Sequence, residues 1–231
     1  MTAARHAGLY EIGVTIVSIV TSVLQGMAGV VGIRTAEEPR FERVERIADD
    51  VEIRRYAPRL AADVTLPGDE TEVRSEGFRR LARYIFGANT THDEIAMTAP
   101  VTQSAGVPAT GVPAEGKGSE TIEMTAPVAQ EKSAEGWTIR FYMPAEYSRA
   151  TLPKPDDPSI TITEVPAETM AVKTFSGSIA AEAVHHEAKM LLRILKGTVW
   201  HPVGTPVAQF YDPPWTLPFL RRNEVAVRVA Q

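Results

Sequence analysis

The sequence predicts an α+β domain in which two helices pack on a curved antiparallel sheet with a pseudo-twofold layout. Three observations predict it. Short segments of two-residue apolar period, the mark of strands, surround two segments with the 3.6-residue period of helices. The order strand pair, helix, strand pair occurs twice along the chain. No glycine-rich loop joins a strand to a helix and no GxxxxGK[ST] phosphate loop is present, which excludes a nucleotide-binding doubly wound fold.

A segment of different composition precedes the domain. Ile12 to Ile33 is 22 residues without a charge; as a helix it would reach about 30 Å, the hydrocarbon thickness of a bilayer. Glu11, Thr15, Ser18, Ser22 and Gln25 recur at spacings of four and three, so they form one polar stripe on such a helix. Arg5 precedes it, and Gly26 and Ala28 supply the small residues that a signal peptidase reads. An uncleaved anchor, a cleaved signal and an ordinary buried helix all fit. Arg34 and Arg40 oppose Arg5, so charge sets no orientation. The expected division is 1–34 as hydrophobic anchor or signal and 35–231 as the domain, with the protein membrane-anchored or exported in the cell envelope.

VEIRRYAPRLAADVTL, 51–66, alternates and breaks at Pro58, giving two short strands or one bent one. A helix follows: Asp69 with Glu72 caps it, Phe78, Leu81, Ala82 and Ile85 supply one apolar face, and Gly87 stops it. IAMTAPV at 95–101 and IEMTAPV at 122–128 repeat one phrase, each putting Ile, Met, Ala and Val on one side, and both are read as strands flanking a Gly/Pro-rich loop. WTIRFYMP, 137–144, is a further strand. SITITEVP and ETMAVKTFSG read as a strand pair. A second helix from about Ser178 carries Val184, Ala188, Leu191 and Leu195 inward and ends at Gly197. TPVAQFYD and NEVAVRV then flank the loop PPWTLPFLRR.

Composition limits the chemistry. The 231 residues are 44% hydrophobic and 23% charged, enough for a sizeable core. A net charge of −5 argues against a nucleic-acid partner, because phosphate binding draws on clustered Lys and Arg. The absence of cysteine excludes disulfides, thiolate nucleophiles and thiolate metal or haem ligation.

IRRY, GFRRLARYIFGAN at 77–89, IAMTAPV, FYMP, FSG at 175–177 and YDPPWTLPFLRRNEV at 211–225 occur in this order, and over roughly 45–231 the chain resembles the SOUL haem-binding protein family. The GIRTAEEP lead-in and doubled MTAPV phrase are similar to bacterial members. The resemblance implies a distorted antiparallel β-barrel flanked by two helices that holds haem or a related porphyrin, non-covalently, in a shallow apolar surface depression. It implies a binding protein, not an enzyme. Matching positions put Phe78 and Ala82 under the macrocycle and Arg83 at a propionate; the residues themselves add Arg79, a turn away, Arg221 as a further cation and Trp215 as a covering ring. The match has gaps. Ser75 and Thr216 stand where the family has basic residues, and Arg55 stands where some members have a histidine ligand. Arg74 is a further candidate cation.

The plainer readings stand beside these. RRNE reads as a buried ion pair and turn. His92, His185, His186 and His201, Met97 and Met124, Tyr56 and Tyr84 are the available iron ligands, and for each an ordinary structural role is the plainer reading. His185 and His186 point apart on a helix, and Glu182 with His186 lacks a third ligand. Glu94 and Glu123 show no nucleophile and base at telling spacing, so no metal or catalytic residue is assigned. Two functions follow: a membrane-tethered tetrapyrrole carrier or buffer, or an interaction module of the same fold without a tetrapyrrole.

Overall fold

Nine strands form one antiparallel sheet, and two helices cover one of its faces. The computed structural model describes residues 36–92, 94–105, 136–212 and 216–231. The 12–33 segment, the second IEMTAPV copy and Trp215 lie outside the described residues. In chain order the elements are β1 (Phe41–Ala48), β2 (Val51–Tyr56), β3 (Arg59–Leu66), α1 (Glu70–Ile85), β4 (Val101–Ala105), β5 (Trp137–Tyr142), β6 (Ile160–Val165), β7 (Glu168–Phe175), α2 (Ala181–Leu195), β8 (His201–Phe210) and β9 (Asn223–Ala230). Across the sheet they run β1-β2-β7-β9-β8-β4-β5-β3-β6.

This order corrects two expectations. The strands on either side of Pro58 do not pair with each other, nor do β6 and β7. Instead β2 pairs with β7 and β3 with β6. Pro58 and Pro166 lie in the corners where the chain leaves one half of the sheet for the other, and a proline cannot donate to a ladder there. In a flat sheet β2 and β3 would stand six strand spacings, about 29 Å, apart. Three residue steps, Tyr56 to Arg59, span at most about 11 Å. The sheet must therefore curl. It does not close: among the described residues no pairing joins β1 or β2 to β3 or β6, so the barrel implied by the resemblance is open.

β1 is the strand that the sequence did not announce. FERVERIA places charge on both faces, and its pattern is almost entirely exposed, as suits an edge that must not recruit another strand. IAMTAPV also departs from expectation. Ile95, Ala99 and Val101 are buried and Met97 half-buried, as expected, but Thr98 and Pro100 of the other side are buried as well, and only Val101 enters a strand. Pro100 has no N–H for the ladder, and the Thr98 hydroxyl instead donates to the Tyr142 carbonyl.

Each helix seals its own half. Leu81, Tyr84 and Ile85 of α1 share a core with Val64, Ile139 and Phe141 of the sheet; Val184, Leu191 and Leu195 of α2 share another with Ile53, Val225 and Val227. Asp69 Oδ1 accepts from Thr71 N–H at 2.8 Å and caps α1. At the other end Ala88 N–H donates to Arg83 O and Gly87 N–H to Tyr84 O, with Gly87 at φ +102°, a left-handed stop that favours glycine. The buried stripe of α1 runs through Val73, Gly77, Leu81 and Tyr84, so Phe78, expected inside, sits at its edge and is 37% exposed.

The opposite, concave face has no helix, yet Arg54, Asp63, Gln209 and Glu224 are buried on it. Curvature of the sheet and the lead-in at 36–41 cover them. Glu224 is fully buried, accepts from Arg54 Nη1 through both oxygens at 3.1 and 3.0 Å, and also accepts from Arg222 and from Tyr211 Oη at 2.7 Å. Burial, with Glu224 beside it, pushes the Tyr211 hydroxyl well above its usual range. Arg140 forks onto Asp63 at 2.7 Å twice, directly across β3 and β5. RRNE is thus a structural ion-pair motif here.

Two stability outcomes follow. A Cβ on Gly77 would lie 2.4 Å from Ile139 Cγ1 and 2.9 Å from its Cβ. Alanine gains about 1 kcal/mol of helix propensity, and overpacking a core costs about 1–3 kcal/mol. Because Ile139 is wholly buried, the clash should win, and Gly77→Ala is expected to lower stability by up to about 2 kcal/mol, read as a lower urea midpoint at unchanged slope; a raised midpoint would refute that packing. Glu224→Ala takes from Arg54, Arg222 and Tyr211 a shared buried acceptor, leaving Arg54 with Glu52 alone, and should cost roughly 3 kcal/mol, part of which the double change Arg54→Met, Glu224→Leu restores. Additive losses in that cycle would show the pair is uncoupled.

Candidate functional site

α1 is fixed by its cap, its glycine stop and its seat on β5, and it presents a rigid outer face. At about 100° per residue, Phe78, Ala82 and Phe86 fall in one outward stripe, and Arg79 and Arg83 lie about 100° further round. Phe86 is 64% exposed and Ala82 half-buried. Phe78 is anchored from below by an edge-on contact with Phe141, ring centroids 5.4 Å apart. The result is an apolar shelf with guanidinium groups along one side.

The arginines differ in what they are already doing. Arg79 and Arg80 both bond Glu76, and Arg80 also reaches Ser159 at 3.1 Å. The Arg80 hydrogen bond, with the Arg79 and Arg83 charges, holds the Glu76 carboxyl below its usual range. Arg83 is exposed and has no hydrogen-bond or ion-pair partner among the described residues, although its charge reaches Glu76 and Asp157. Arg74 is committed elsewhere: it donates to Gln103 Oε1 at 2.7 Å and to the Ile179 carbonyl at 2.7 Å, pairs with Glu70, and stacks on Phe210. It ties α1 to β4, β8 and the start of α2 and is no rim cation. Arg221 Nε donates to the Thr216 carbonyl at 2.8 Å, which braces the loop before β9. Of the predicted site residues the structure gathers Phe78, Arg79, Ala82 and Arg83 on one helix face.

The imidazoles disperse. His185 Nε2 lies 3.2 Å from Glu70 Oε2 between the two helices, His92 occupies an exposed turn at φ +56°, and His201 starts β8 exposed. Arg55 pairs with Glu42 on the outer edge of the sheet. Among the described residues no three His, Asp or Glu side chains gather as metal ligands would.

A second concavity lies at the corner of the sheet, away from α1. An open groove of about 470 Å³, lined among others by Pro58, Leu60, Tyr142, Met143, Tyr147 and Val165, narrows into a crevice of about 10 Å³. Arg59 stands at the join, its guanidinium between the Tyr56 and Tyr142 rings at 4.2 and 4.5 Å and bonded to Glu168 Oε1 at 2.6 Å. Sequence reasoning missed this groove because its wall comes from five separated segments. It missed Phe86 for a lesser reason, since the i, i+4, i+8 spacing from Phe78 was readable but the glycine stop drew the helix short.

The sequence profile described as SOUL heme-binding protein matches residues 36–228. No curated protein matches the chain. Among solved structures it is similar to the EcmrR C-terminal domain (TM-score 0.53, 9% identity, 78% of this chain and 97% of that one) and to EcmrR in a cryo-EM complex with DNA (TM-score 0.53, 9% identity, 98% and 70%). It is also similar to an uncharacterized conserved protein from Listeria innocua (TM-score 0.51, 12% identity, 86% and 95%). At such identities these likenesses show a shared fold alone. A profile match over most of the chain, on an α+β domain whose conspicuous apolar helix face is edged by arginine, makes this protein a member of the SOUL heme-binding protein family.

Proposed function

We propose that the protein binds haem or a related tetrapyrrole on the outer face of α1 and acts as a carrier or buffer, not as a catalyst. The observation that carries this reading is the Phe78–Ala82–Phe86 shelf beside Arg83, an exposed cation with no partner among the described residues. A flat apolar disc bearing carboxylates needs an apolar floor and a cation at its rim, and the shelf supplies both. The residues therefore fit the group: Phe78, Ala82 and Phe86 form the floor, Arg83 and then Arg79 face the propionates, and Trp215 and Arg221 belong to the loop assigned to cover it. Bound iron would supply the redox and ligand chemistry of haem. In the family position for an axial histidine stands Arg55, which cannot ligate iron, so affinity rests on the macrocycle and its carboxylates.

Two finer readings belong with this one. We read the curled, open sheet as the counterpart of the family's distorted barrel, and exchanging β2 with β6, β3 with β7, β4 with β8 and β5 with β9 turns the order from β2 to β6 into the same order read from the other end, which supports a pseudo-twofold plan. The uncharged stretch from Ile12 to Ile33 is long enough to tether the domain to a membrane.

Titration with hemin should give a Soret change that saturates in the micromolar range, and protoporphyrin IX should quench tryptophan fluorescence with similar affinity. Arg83→Glu should weaken both by about tenfold, since it replaces a charge-assisted contact with repulsion. Absence of any Soret change with micromolar hemin would end the proposal. In cell fractionation the full chain should sediment with membranes and a chain lacking residues 1–33 should not; equal sedimentation would remove the tether.

A further inference from the structure

The groove at the corner of the sheet has features that the α1 shelf does not explain. Arg59 Nε and Nη1 are buried and have no hydrogen-bond partner among the described residues, although Nη2 bonds Glu168 and Tyr142 Oη. Gln209 is 4% exposed, lines the same crevice, and its Oε1 also has no partner. Buried donors are rarely left unmet, because each has given up its water. These groups sit where the crevice meets the groove, whose wall is mostly apolar: Leu60, Tyr142, Met143, Tyr147 and Val165. Its volume lies within the range of small-molecule sites.

The sign of the missing charge follows from the carboxylates around it. Glu38 accepts two bonds from Arg222, Glu168 takes Arg59, Glu164 pairs with Arg149, and Glu37 Oε1 accepts from Ala145 N–H. Of the groove's carboxylates only Glu37 lacks a cationic partner among the described residues, and a backbone N–H engages it, whereas Arg59 has two buried donors to spare and Arg40 at the rim has no ionic partner among the described residues. We propose that this groove is a second ligand site, for an apolar monocarboxylate whose head accepts from Arg59 and whose body lies along Leu60, Met143 and Tyr147. Rotating the Gln209 amide turns its N–H₂ to the same head group. Tyr56 and Tyr142 hold the guanidinium flat between them, so the receiving cation is already in place before a ligand arrives.

The test uses the full chain and two probes with one apolar body, pyrenebutyrate and pyrenebutanol, followed by pyrene fluorescence. Pyrenebutyrate is expected to bind about tenfold or more tightly than the alcohol, because the carboxylate alone meets the arginine donors. Arg59→Gln should remove that preference. Arg59 also joins β3 to Glu168, so a second variant guards against misfolding: Ala145→Trp, at an exposed position on the groove wall, should block both probes while leaving the unfolding midpoint unchanged. Arg83→Glu and saturating hemin should leave pyrenebutyrate binding as it was, which separates this groove from the α1 shelf. Equal affinity for acid and alcohol, or binding that survives Ala145→Trp, would overturn the proposal. Loss of binding with Arg83→Glu and not with Ala145→Trp would equally overturn it, by placing the probe on the shelf.

Discussion

Ala57 and Pro58 carry the chain from β2, second in the sheet, to β3, the eighth strand; Pro166 and Ala167 carry it from β6, the ninth, to β7, the third. Two connections this short across six strand positions leave the sheet no flat solution, and the rest of the molecule follows from the curl. The outer face becomes convex in two halves, each needing one helix. The inner face is buried without a helix and fills with residues that can satisfy each other in a narrow space. Where the corners cross, Arg59 of β3 meets Glu168 of β7 at 2.6 Å, and the rings of Tyr56 and Tyr142 enclose the contact. Both side chains are only 11% exposed. Such a pair gains little over a hydrophobic equivalent, but its loss leaves a buried charge, so it fixes which ends may meet more than it adds stability.

The division of the molecule into two faces also divides its chemistry. The convex face is apolar beneath the helices and pays for that with an exposed helix surface that has to be something; on α1 it is Phe78, Ala82 and Phe86. The concave face holds charges whose partners are protein: Arg54 with Glu224, Arg140 with Asp63, Arg222 with Glu38 and Glu224. A rigid helix with an open apolar side suits reversible capture of a flat molecule, since little chain order is lost on binding.

Much of this was legible in the chain. The break at Pro58, the cap at Asp69, the stop at Gly87 and the inward positions of α2 all follow from local rules, and the structure has them where the spacing puts them. Strand partners were not legible. Period-two patterning says which side of a strand is buried but not which strand lies beside it, so neighbouring strands read as hairpins although the corners send them to opposite halves. The same gap hid β1, whose charged sequence fits an edge and announces nothing. In IAMTAPV the apolar side is buried as expected, but Thr98 and Pro100 are buried too and the ladder is missing, because Pro100 withholds its donor while Ile95 and Ala99 still turn inward.

The arginines mark the boundary of sequence reasoning most sharply. In the sequence Arg54, Arg59, Arg74, Arg79, Arg83 and Arg221 are alike: each is a cation near aromatic or aliphatic neighbours. What separates them is a partner that lies far along the chain. Arg54 meets a carboxylate 170 residues away, Arg59 one 109 away and Arg74 a carbonyl 105 away. The contacts of Arg54 and Arg74 remove two cations from the set available to a ligand, whereas Arg59 gives Glu168 only its Nη2. Arg83 is left because the two carboxylates its charge reaches, Glu76 and Asp157, are engaged by Arg79 and Arg80 and by Ser159. Its availability is therefore a product of its neighbours' commitments, and a ligand-binding role on α1 is decided by which charges the fold has failed to use.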